Sequence, residues 1–172
     1  QFARGSYIGP KETIIHPHRI FEPSIKGNDA LIEEATKLIA NAKKPIFYVG
    51  GGCINSGPNA SKLVREFVKI SGAPASMTLM GLGTLPASDP LSLGMLGMHG
   101  MYEANLAMHE CDVMVNIGAR FDDRVTGRLD AFSPNSKKIH IDIDASSIQK
   151  NIKVDIPIVG DVEAIIEQII AS

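Results

Sequence analysis

A short loop near the middle of the chain concentrates side chains that bind anions and polar ligands. Residues 118–127, GARFDDRVTG, hold two arginines and two aspartates between two glycines. The preceding segment 112–117, DVMVNI, is short and largely hydrophobic, which predicts a buried parallel strand. Open α/β sheets bind their ligands at the carboxyl ends of such strands. We therefore predict a binding site at this loop, rather than a solvated turn.

A second candidate for ligand chemistry is the run of three glycines Gly50, Gly51 and Gly52. It follows a predicted strand, 45–49, and precedes a predicted helix with Pro58 near its start. Free backbone N–H groups and a helix dipole favour a phosphate or pyrophosphate at such a turn. The dinucleotide pattern GxGxxG is incomplete, because Asn55 stands at its third glycine. A tight strand-to-helix connection, which also needs glycine, remains the alternative.

Two further features suggest contacts with a flat, nucleotide-like ligand. Glycines recur at every third position from 94 to 100, beside Met98 and His99, and are predicted to let the backbone pass close to that ligand. A methionine-rich core patch is the alternative. Asp142 and Asp144 end the predicted strand 138–143, where acidic residues accept hydrogen bonds from ribose hydroxyls. For Asp144, capping of a helix that begins at Ser146 is the better interpretation.

The elements that must position these residues alternate between strand and helix. The predicted strands are 45–49, 74–78, 91–96, 112–117, 138–143 and 156–159. This pattern predicts a three-layer α/β/α Rossmann-like domain with a six-stranded parallel sheet. Right-handed crossovers would bring the glycine turns to one sheet edge. The domain is predicted to cover residues 27–172, and residues 1–26 are predicted to be a linker or arm.

The composition limits the function classes. A chain of 172 residues with 44% hydrophobic residues suits one domain, and a net charge of −2 gives no indication of nucleic-acid or membrane-surface binding. No apolar run approaches the roughly 18 residues of a membrane span, and no signal peptide is recognised. Cys53 and Cys111 are interpreted as buried thiols of a reducing compartment, which predicts a cytoplasmic protein. Because the chain opens without methionine and stops just after an apolar helix, we expect a fragment.

Several motifs together resemble one enzyme family. They are KKPIFYVGGGCINSG, LMGLGTLP, LGMLGMHGMYEAN, GARFDDRVTG, KKIHIDID and the closing VGD. The chain is similar over nearly its whole length to the central domain of the acetohydroxyacid synthase (acetolactate synthase) catalytic subunit. LGMLGMHG and GARFDDRVTG are the most specific of these motifs.

The resemblance implies a thiamine-diphosphate enzyme that decarboxylates pyruvate and joins the product to pyruvate or 2-ketobutyrate, in branched-chain amino acid synthesis. The central domain of that family is a six-stranded Rossmann-like module that holds FAD, which takes no part in net redox chemistry. Thiamine diphosphate and Mg²⁺ belong to the flanking domains. The resemblance also implies a homo-oligomer of catalytic subunits with a small regulatory subunit.

The same resemblance assigns site residues. The second 2-ketoacid would meet Arg124, with Met98 and Asp123 at the border of its pocket. The expected FAD contacts are Gly50, Gly51, Gly52, Thr78, Leu79, Met80, Gly97, Met98, His99, Gly118, Ala119, Arg120, Asp122, Arg124, Val125, Asp142, Ile143, Gly160 and Asp161. No metal ligand and no catalytic proton-transfer group is expected in this chain.

Departures from the family pattern limit what the chain does alone. The activating glutamate of the N-terminal domain and the GDG segment that holds Mg²⁺ are not found, so the chain by itself is expected to be inactive. Met101 and Ala145 stand where many relatives carry a small polar residue and a proline. Alternatives are the middle domain of pyruvate oxidase, glyoxylate carboligase or a flavin-free acetolactate synthase. Outside that superfamily they are an electron-transfer flavoprotein domain, another nucleotide-binding domain of similar fold, or a purely structural domain.

Overall fold

The computed structural model describes residues 24–172, and a single parallel sheet forms its middle layer. The strands are β1 Pro45–Val49, β2 Ala75–Met77, β3 Ser92–Met95, β4 Val113–Ile117, β5 Lys137–Asp142 and β6 Ile156–Val159. Their order across the sheet is β3-β2-β1-β4-β5-β6, and every neighbouring pair is parallel. The predicted six-stranded parallel sheet is confirmed. The linker or arm predicted for residues 1–26 lies, up to residue 23, outside the described residues.

Helices cover both faces of the sheet. They are α1 Asp29–Ala40, α2 Gly51–Ser56, α3 Pro58–Ser71, α4 Tyr102–Glu110, α5 Asp123–Thr126 and α6 Val162–Ala171. One hydrophobic cluster contains the buried faces of α1, α3 and α6. A second cluster, on the other side of the sheet, contains α4 and the segments that follow β4 and β5. The three predicted layers are therefore present.

The first face is the more regular one because amphipathic helices supply it. Asn28 caps α1 by accepting hydrogen bonds from the backbone N–H groups of residues 30 and 31. Phe67 of α3 packs against Phe47 of β1 with ring centroids 4.8 Å apart. Ile32 of α1 is buried in this cluster, whereas Leu38 packs only partly against it.

The second face departs from the predicted alternation of strands and helices. The helix expected after β5 does not form, and residues 145–149 make successive turns instead. Asp144 closes those turns, because its carboxylate accepts from the backbone N–H of Ser146 and from the hydroxyls of Ser146 and Ser147. Its predicted capping role is thus replaced by a turn role.

The glycine run also differs from its predicted form. Gly50 is the N-cap of α2, so Gly51 and Gly52 belong to the first turn of that helix, rather than to an open loop. Gly57, with φ +122°, then separates α2 from α3, and Pro58 opens the second helix. The expected single helix is therefore two helices.

One row of residues crosses the sheet just below the carboxyl ends of its strands. The register pairs Tyr48 with Ser76 on one side and with Asn116 on the other, and Asn116 in turn with His140. All four side chains are 0–1% exposed. We call Ser76, Tyr48, Asn116 and His140 the polar row. It lies beneath the sheet edge where the predicted site residues come together.

Candidate functional site

A cavity of about 690 Å³ opens along the carboxyl edge of the sheet. It takes residues from the ends of five adjacent strands, β3, β2, β1, β4 and β5. Its lining is Tyr48, Gly51, Gly52, Ile54, Asn55, Thr78, Leu79, Met80, Met95, Leu96, Met98, His99, Gly118, Arg120, Asp122, Arg124, Val125, Asp142, Ile143, Asp144 and Ser147. The cavity includes the point where β1 and β4 lie side by side and their outgoing chains diverge, as at ligand sites of doubly wound sheets.

Glycines make the floor of this cavity possible. The N–H of Gly52 donates to the carbonyl of Gly118 at 3.0 Å, so the turns after β1 and β4 touch backbone to backbone. A Cβ on Gly50 would overlap the Gly118 carbonyl oxygen, and one on Gly52 would lie 2.8 Å from the Gly118 Cα. Gly118 also has φ +62°. Side chains at these positions would force the two strand ends apart.

The loop after β3 is fixed to the loop after β4. The N–H of Met98 donates to the Arg124 carbonyl at 2.9 Å, and a Cβ on Gly97 would lie 2.8 Å from that carbonyl oxygen. Asn105 of α4 holds Gly97 by accepting from its N–H and donating to its carbonyl. The close approach predicted for the glycines 94–100 is thus made, for Gly97, to the protein's own backbone. This contact between the two loops places Met98 beside Arg124.

The charged loop presents one paired and one unpaired arginine. Arg120 forms an exposed ion pair with Asp122 at 3.2 Å. Among residues 24–172, no carboxylate lies within 4.0 Å of the Arg124 guanidinium. Of the two arginines in this loop, Arg124 is therefore the one that remains available to an anionic ligand.

Tyr48 lines the cavity beneath the same loop. Burial raises the pKa of the Tyr48 phenol, and the Asp122 carboxylate raises it further, so Tyr48 stays neutral at physiological pH.

The part of the cavity at the end of β5 is acidic. Asp142, 8% exposed, ends β5, and its Oδ1 accepts from the backbone N–H of Asp144 at 2.9 Å. Hydrogen bonds from Ser146 are the main cause of a lowered pKa of the Asp144 carboxyl. Behind Asp142 lies His140, whose Nε2 is 3.8 Å from the Asp142 Oδ2. A ligand along the cavity meets carboxylates at the end of β5 and arginines on the loop after the neighbouring strand β4.

Most of the predicted site residues come together here. Fourteen line the cavity, namely Gly51, Gly52, Thr78, Leu79, Met80, Met98, His99, Gly118, Arg120, Asp122, Arg124, Val125, Asp142 and Ile143. The other six, Gly50, Gly97, Ala119, Asp123, Gly160 and Asp161, do not. Gly50 and Gly97 support the lining from behind. Asp161 caps α6 and receives a hydrogen bond from Ser56, so its predicted contact with a ligand gains no support from the cavity.

Sequence reasoning missed several residues that shape the cavity. Tyr48, Ile54, Met95, Leu96 and Ser147 line it. Phe121, with φ +51°, lies inside the fold and packs against the rings of Tyr48 and His140. The sequence contained a signal for two buried polar positions, since Tyr48 and Asn116 are polar residues inside strands that are otherwise apolar.

Comparison with known proteins assigns the class. The family described as "Thiamine pyrophosphate enzyme, central domain" matches residues 32–169. That match covers most of the described chain, including all six strands and the cavity residues. The chain therefore belongs to the family of central domains of thiamine pyrophosphate enzymes.

Within that family the chain is similar to acetolactate synthase large subunits. The large subunit of Buchnera aphidicola subsp. Schizaphis graminum is 45% identical over 96% of this chain and 28% of the relative. Isozyme 3 of Escherichia coli (strain K12) is 43% identical over 95% and 28%. A probable acetolactate synthase large subunit of Methanocaldococcus jannaschii is 48% identical over 88% and 25%. The predicted resemblance is confirmed, and the chain spans about a quarter of the length of these relatives.

Neither a membrane-spanning helix nor a cluster of metal-ligating side chains is found within residues 24–172. No helix in that range is long and apolar enough to cross a membrane. Within the same range, no group of three or more His, Cys, Asp or Glu side chains is arranged to hold a metal ion. Cys53 and Cys111 are buried free thiols, as predicted.

Proposed function

We propose that this chain is the FAD-binding central domain of an acetolactate synthase catalytic subunit. The enzyme would condense two pyruvates, or pyruvate and 2-ketobutyrate, with loss of carbon dioxide in branched-chain amino acid synthesis. Thiamine diphosphate with Mg²⁺, bound outside this chain, would supply the decarboxylation chemistry. The domain would contribute cofactor binding and one wall of the pocket for the second 2-ketoacid. A cytoplasmic homo-oligomer with a small regulatory subunit is part of the proposal.

The cavity along five strand ends is the observation that carries the cofactor proposal. Four spacings of about 4.8 Å between neighbouring strands give a length of about 19 Å, which suits an extended dinucleotide better than a mononucleotide. The lining includes apolar side chains from residues 79, 80, 95, 96 and 98, which suit a flavin ring. Asp142 at the far end suits the ribose of the adenosine half.

Within this arrangement the diphosphate would lie against the backbone of Gly51 and Gly52. Gly51 and Gly52 carry no side chains that block the approach of phosphate oxygens, and both line the cavity. Arg120 and Arg124 add positive charge on the neighbouring loop. Thr78 would contribute at the end of β2, although its hydroxyl already accepts from the Gly81 N–H at 3.0 Å.

The second 2-ketoacid would bind next to Arg124. A guanidinium suits the carboxylate of that substrate because its planar fork matches two oxygens. The hydrogen bond from the Met98 N–H to the Arg124 carbonyl keeps Met98 beside it as an apolar wall. Asp123, the first residue of α5, would border this pocket without lining the larger cavity.

The cofactor proposal is tested by ligand-dependent unfolding of the chain with FAD, NAD, ADP and coenzyme A. A ligand at about 100 times its dissociation constant adds about 2.7 kcal/mol to the free energy of unfolding. For a domain of this size that raises the melting temperature by about 5 to 11 °C. We expect FAD to stabilise more than ADP and much more than NAD or coenzyme A. Equal effects of FAD and ADP, or no effect of FAD, would contradict a flavin site.

A pair of matched variants locates the ligand. Met80 lines the cavity directly beside Gly51, since a Cβ built on Gly51 would lie 2.9 Å from the Met80 Cβ. Met80→Glu therefore places a carboxylate next to the glycine run. Ile70→Glu makes the same kind of change at an equally exposed residue on α3, outside the cavity. We expect Met80→Glu to weaken FAD binding about ten-fold by repelling the diphosphate. Ile70→Glu should bind FAD like the unmodified chain.

A further inference from the structure

In the polar row, His140 has two fully buried ring nitrogens that lack a hydrogen-bond partner among the described residues. Ser76 donates to the Gly94 carbonyl at 3.1 Å, and the Asn116 amide exchanges two hydrogen bonds with the backbone of Ala119. His140 is fully buried, and neither ring nitrogen forms a hydrogen bond among the described residues. A buried imidazole without a partner is costly, so its retention calls for an explanation.

Packing alone does not account for a histidine at this position. Phe121 meets the imidazole edge to face, with centroids 5.2 Å apart, and an aromatic or aliphatic side chain would meet that need equally well. Its register neighbour on β6 is Pro157, which has no backbone N–H to offer. The Asp142 Oδ2 lies 3.8 Å from Nε2 of the ring.

Asp142 connects that ring to the cavity. His140 and Asp142 are two residues apart on β5, so both side chains lie on the same face of the sheet. The Oδ1 of Asp142 is held by the Asp144 N–H, which leaves the Oδ2 as the atom near His140. The residue also lines the cavity, at the end where the proposed function puts a ribose.

We infer that His140 is a positioning residue for the ribose site. Its Nε2 carries the proton, and this N–H donates a hydrogen bond to the Asp142 carboxylate when a nucleotide occupies the cavity. A bound ribose displaces water from that carboxylate, and a desolvated carboxylate gains more from a nearby N–H donor than a hydrated one does. A closure of about 1 Å brings the two atoms to hydrogen-bond distance. The inference rests on the proposed nucleotide site, and it adds to that site a residue that touches no ligand.

The test compares nucleotide affinities for the chain and two variants. His140→Gln keeps an N–H donor near the Nε2 position, and His140→Met has similar bulk without a donor. Calorimetry measures ADP, 2′-deoxy-ADP and 3′-deoxy-ADP. We expect His140→Met to weaken ADP binding about ten-fold, because a hydrogen bond to a charged group is lost. One of the two deoxy analogues lacks the hydroxyl that contacts Asp142. His140→Met should change the affinity for that analogue less than two-fold. His140→Gln should restore ADP binding.

A purely structural role gives a different pattern. His140→Met would then weaken all three nucleotides by the same factor, or none of them, and His140→Gln would not restore the difference. Either result overturns the inference while leaving the nucleotide site in place. If the unmodified chain bound neither FAD nor ADP, the proposed function would fail first, and this inference with it.

A measurement on the unmodified chain covers the case in which a variant does not fold. Imidazole ¹⁵N resonances of His140 report which nitrogen carries the proton. We expect the Nε2–H form, with a change at Nε2 when ADP is added and a much smaller one with the deoxy analogue. A proton on Nδ1, or equal responses to both nucleotides, would overturn the inference.

Discussion

At the scale of single residues, Asp112 illustrates how one carboxylate joins distant segments. It stands just before β4, and its two oxygens accept from the backbone N–H groups of Lys43 and Lys44 at 2.7 and 2.9 Å. Burial raises the pKa of Asp112 in part, but these hydrogen bonds outweigh it and keep the pKa below its usual range. The carboxylate therefore stabilises the entry to β1 only in its ionised form.

Asp112→Asn should lower the free energy of unfolding by about 1 to 2 kcal/mol at pH 7, because a charge-assisted hydrogen bond is lost. A folded-state pKa below the unfolded value of about 3.9 gives stability that is present above about pH 4. This stability disappears as the pH falls through the folded-state pKa.

Denaturant unfolding at several pH values from 7 to 3 checks this. The difference between variant and unmodified chain should shrink towards pH 3, whereas Glu66→Gln, on the exposed side of α3, should show little difference throughout. A constant difference would contradict the ionised role.

Residue types also explain what the sequence could and could not predict about the site. Gly51, Gly118 and Asp142 could be predicted because glycines and acids at strand ends are distinctive. Tyr48 and His140 lie inside strands, and their position beneath the cavity depends on strand order and register, which no local pattern specifies. Phe121 adopts a positive φ that sequence reasoning does not expect of an aromatic residue.

At the scale of elements, the strands were predictable and some connections were not. Apolar runs such as those of β1 and β4 identify buried strands directly. The helix expected after β5 fails because Asp144, Ser146 and Ser147 satisfy one another in local turns, which compete with helix formation. The start of α2 at Gly51 was missed because glycine is a poor helix former. Contact with Gly118 excludes a side chain at its N-cap Gly50.

Asp161, at the start of α6, has either a structural role or a role in ligand binding, and the two can be distinguished by experiment. Its carboxylate accepts from the Glu163 N–H at 3.0 Å and from the Ser56 hydroxyl at 2.8 Å, which ties α2 to α6. Asp161→Ala should lower the free energy of unfolding by about 1 to 2 kcal/mol, the usual loss of an N-cap. Asp161→Asn should retain most of the stability. Thermal unfolding and FAD titration of both variants check this, and FAD affinity should not change. A selective loss of FAD binding would instead support the sequence-based assignment of Asp161 to the cofactor.

At the scale of the whole molecule, the sheet order concentrates the site. Segments around residues 48, 78, 98, 124 and 142 are far apart in the chain, yet each follows or ends a strand of one parallel sheet. Parallel strands with right-handed crossovers bring all their carboxyl ends to the same edge, so the gathering of these segments was predictable from the alternation of elements. The contact between the loops after β3 and β4 was not predictable from the sequence, because it depends on a hydrogen bond between loop backbones.

The chain covers about a quarter of the length of its acetolactate synthase relatives, so the proposed substrate role of Arg124 is tested in the full-length enzyme. Arg124→Ala should raise the apparent KM for the second 2-ketoacid about ten-fold or more, because a guanidinium–carboxylate contact is lost. Flavin content should fall less than the use of the second substrate, because glycine backbone and apolar side chains make most of the proposed cofactor site. Arg128→Ala removes an exposed arginine that pairs with Asp130 at 2.8 Å outside the cavity, and should leave both quantities unchanged. Arg124→Lys should recover only part of the loss, since an ammonium lacks the planar fork. Product analysis and flavin absorbance measure the two effects separately, and an equal loss of both in Arg124→Ala would exclude a distinct substrate role.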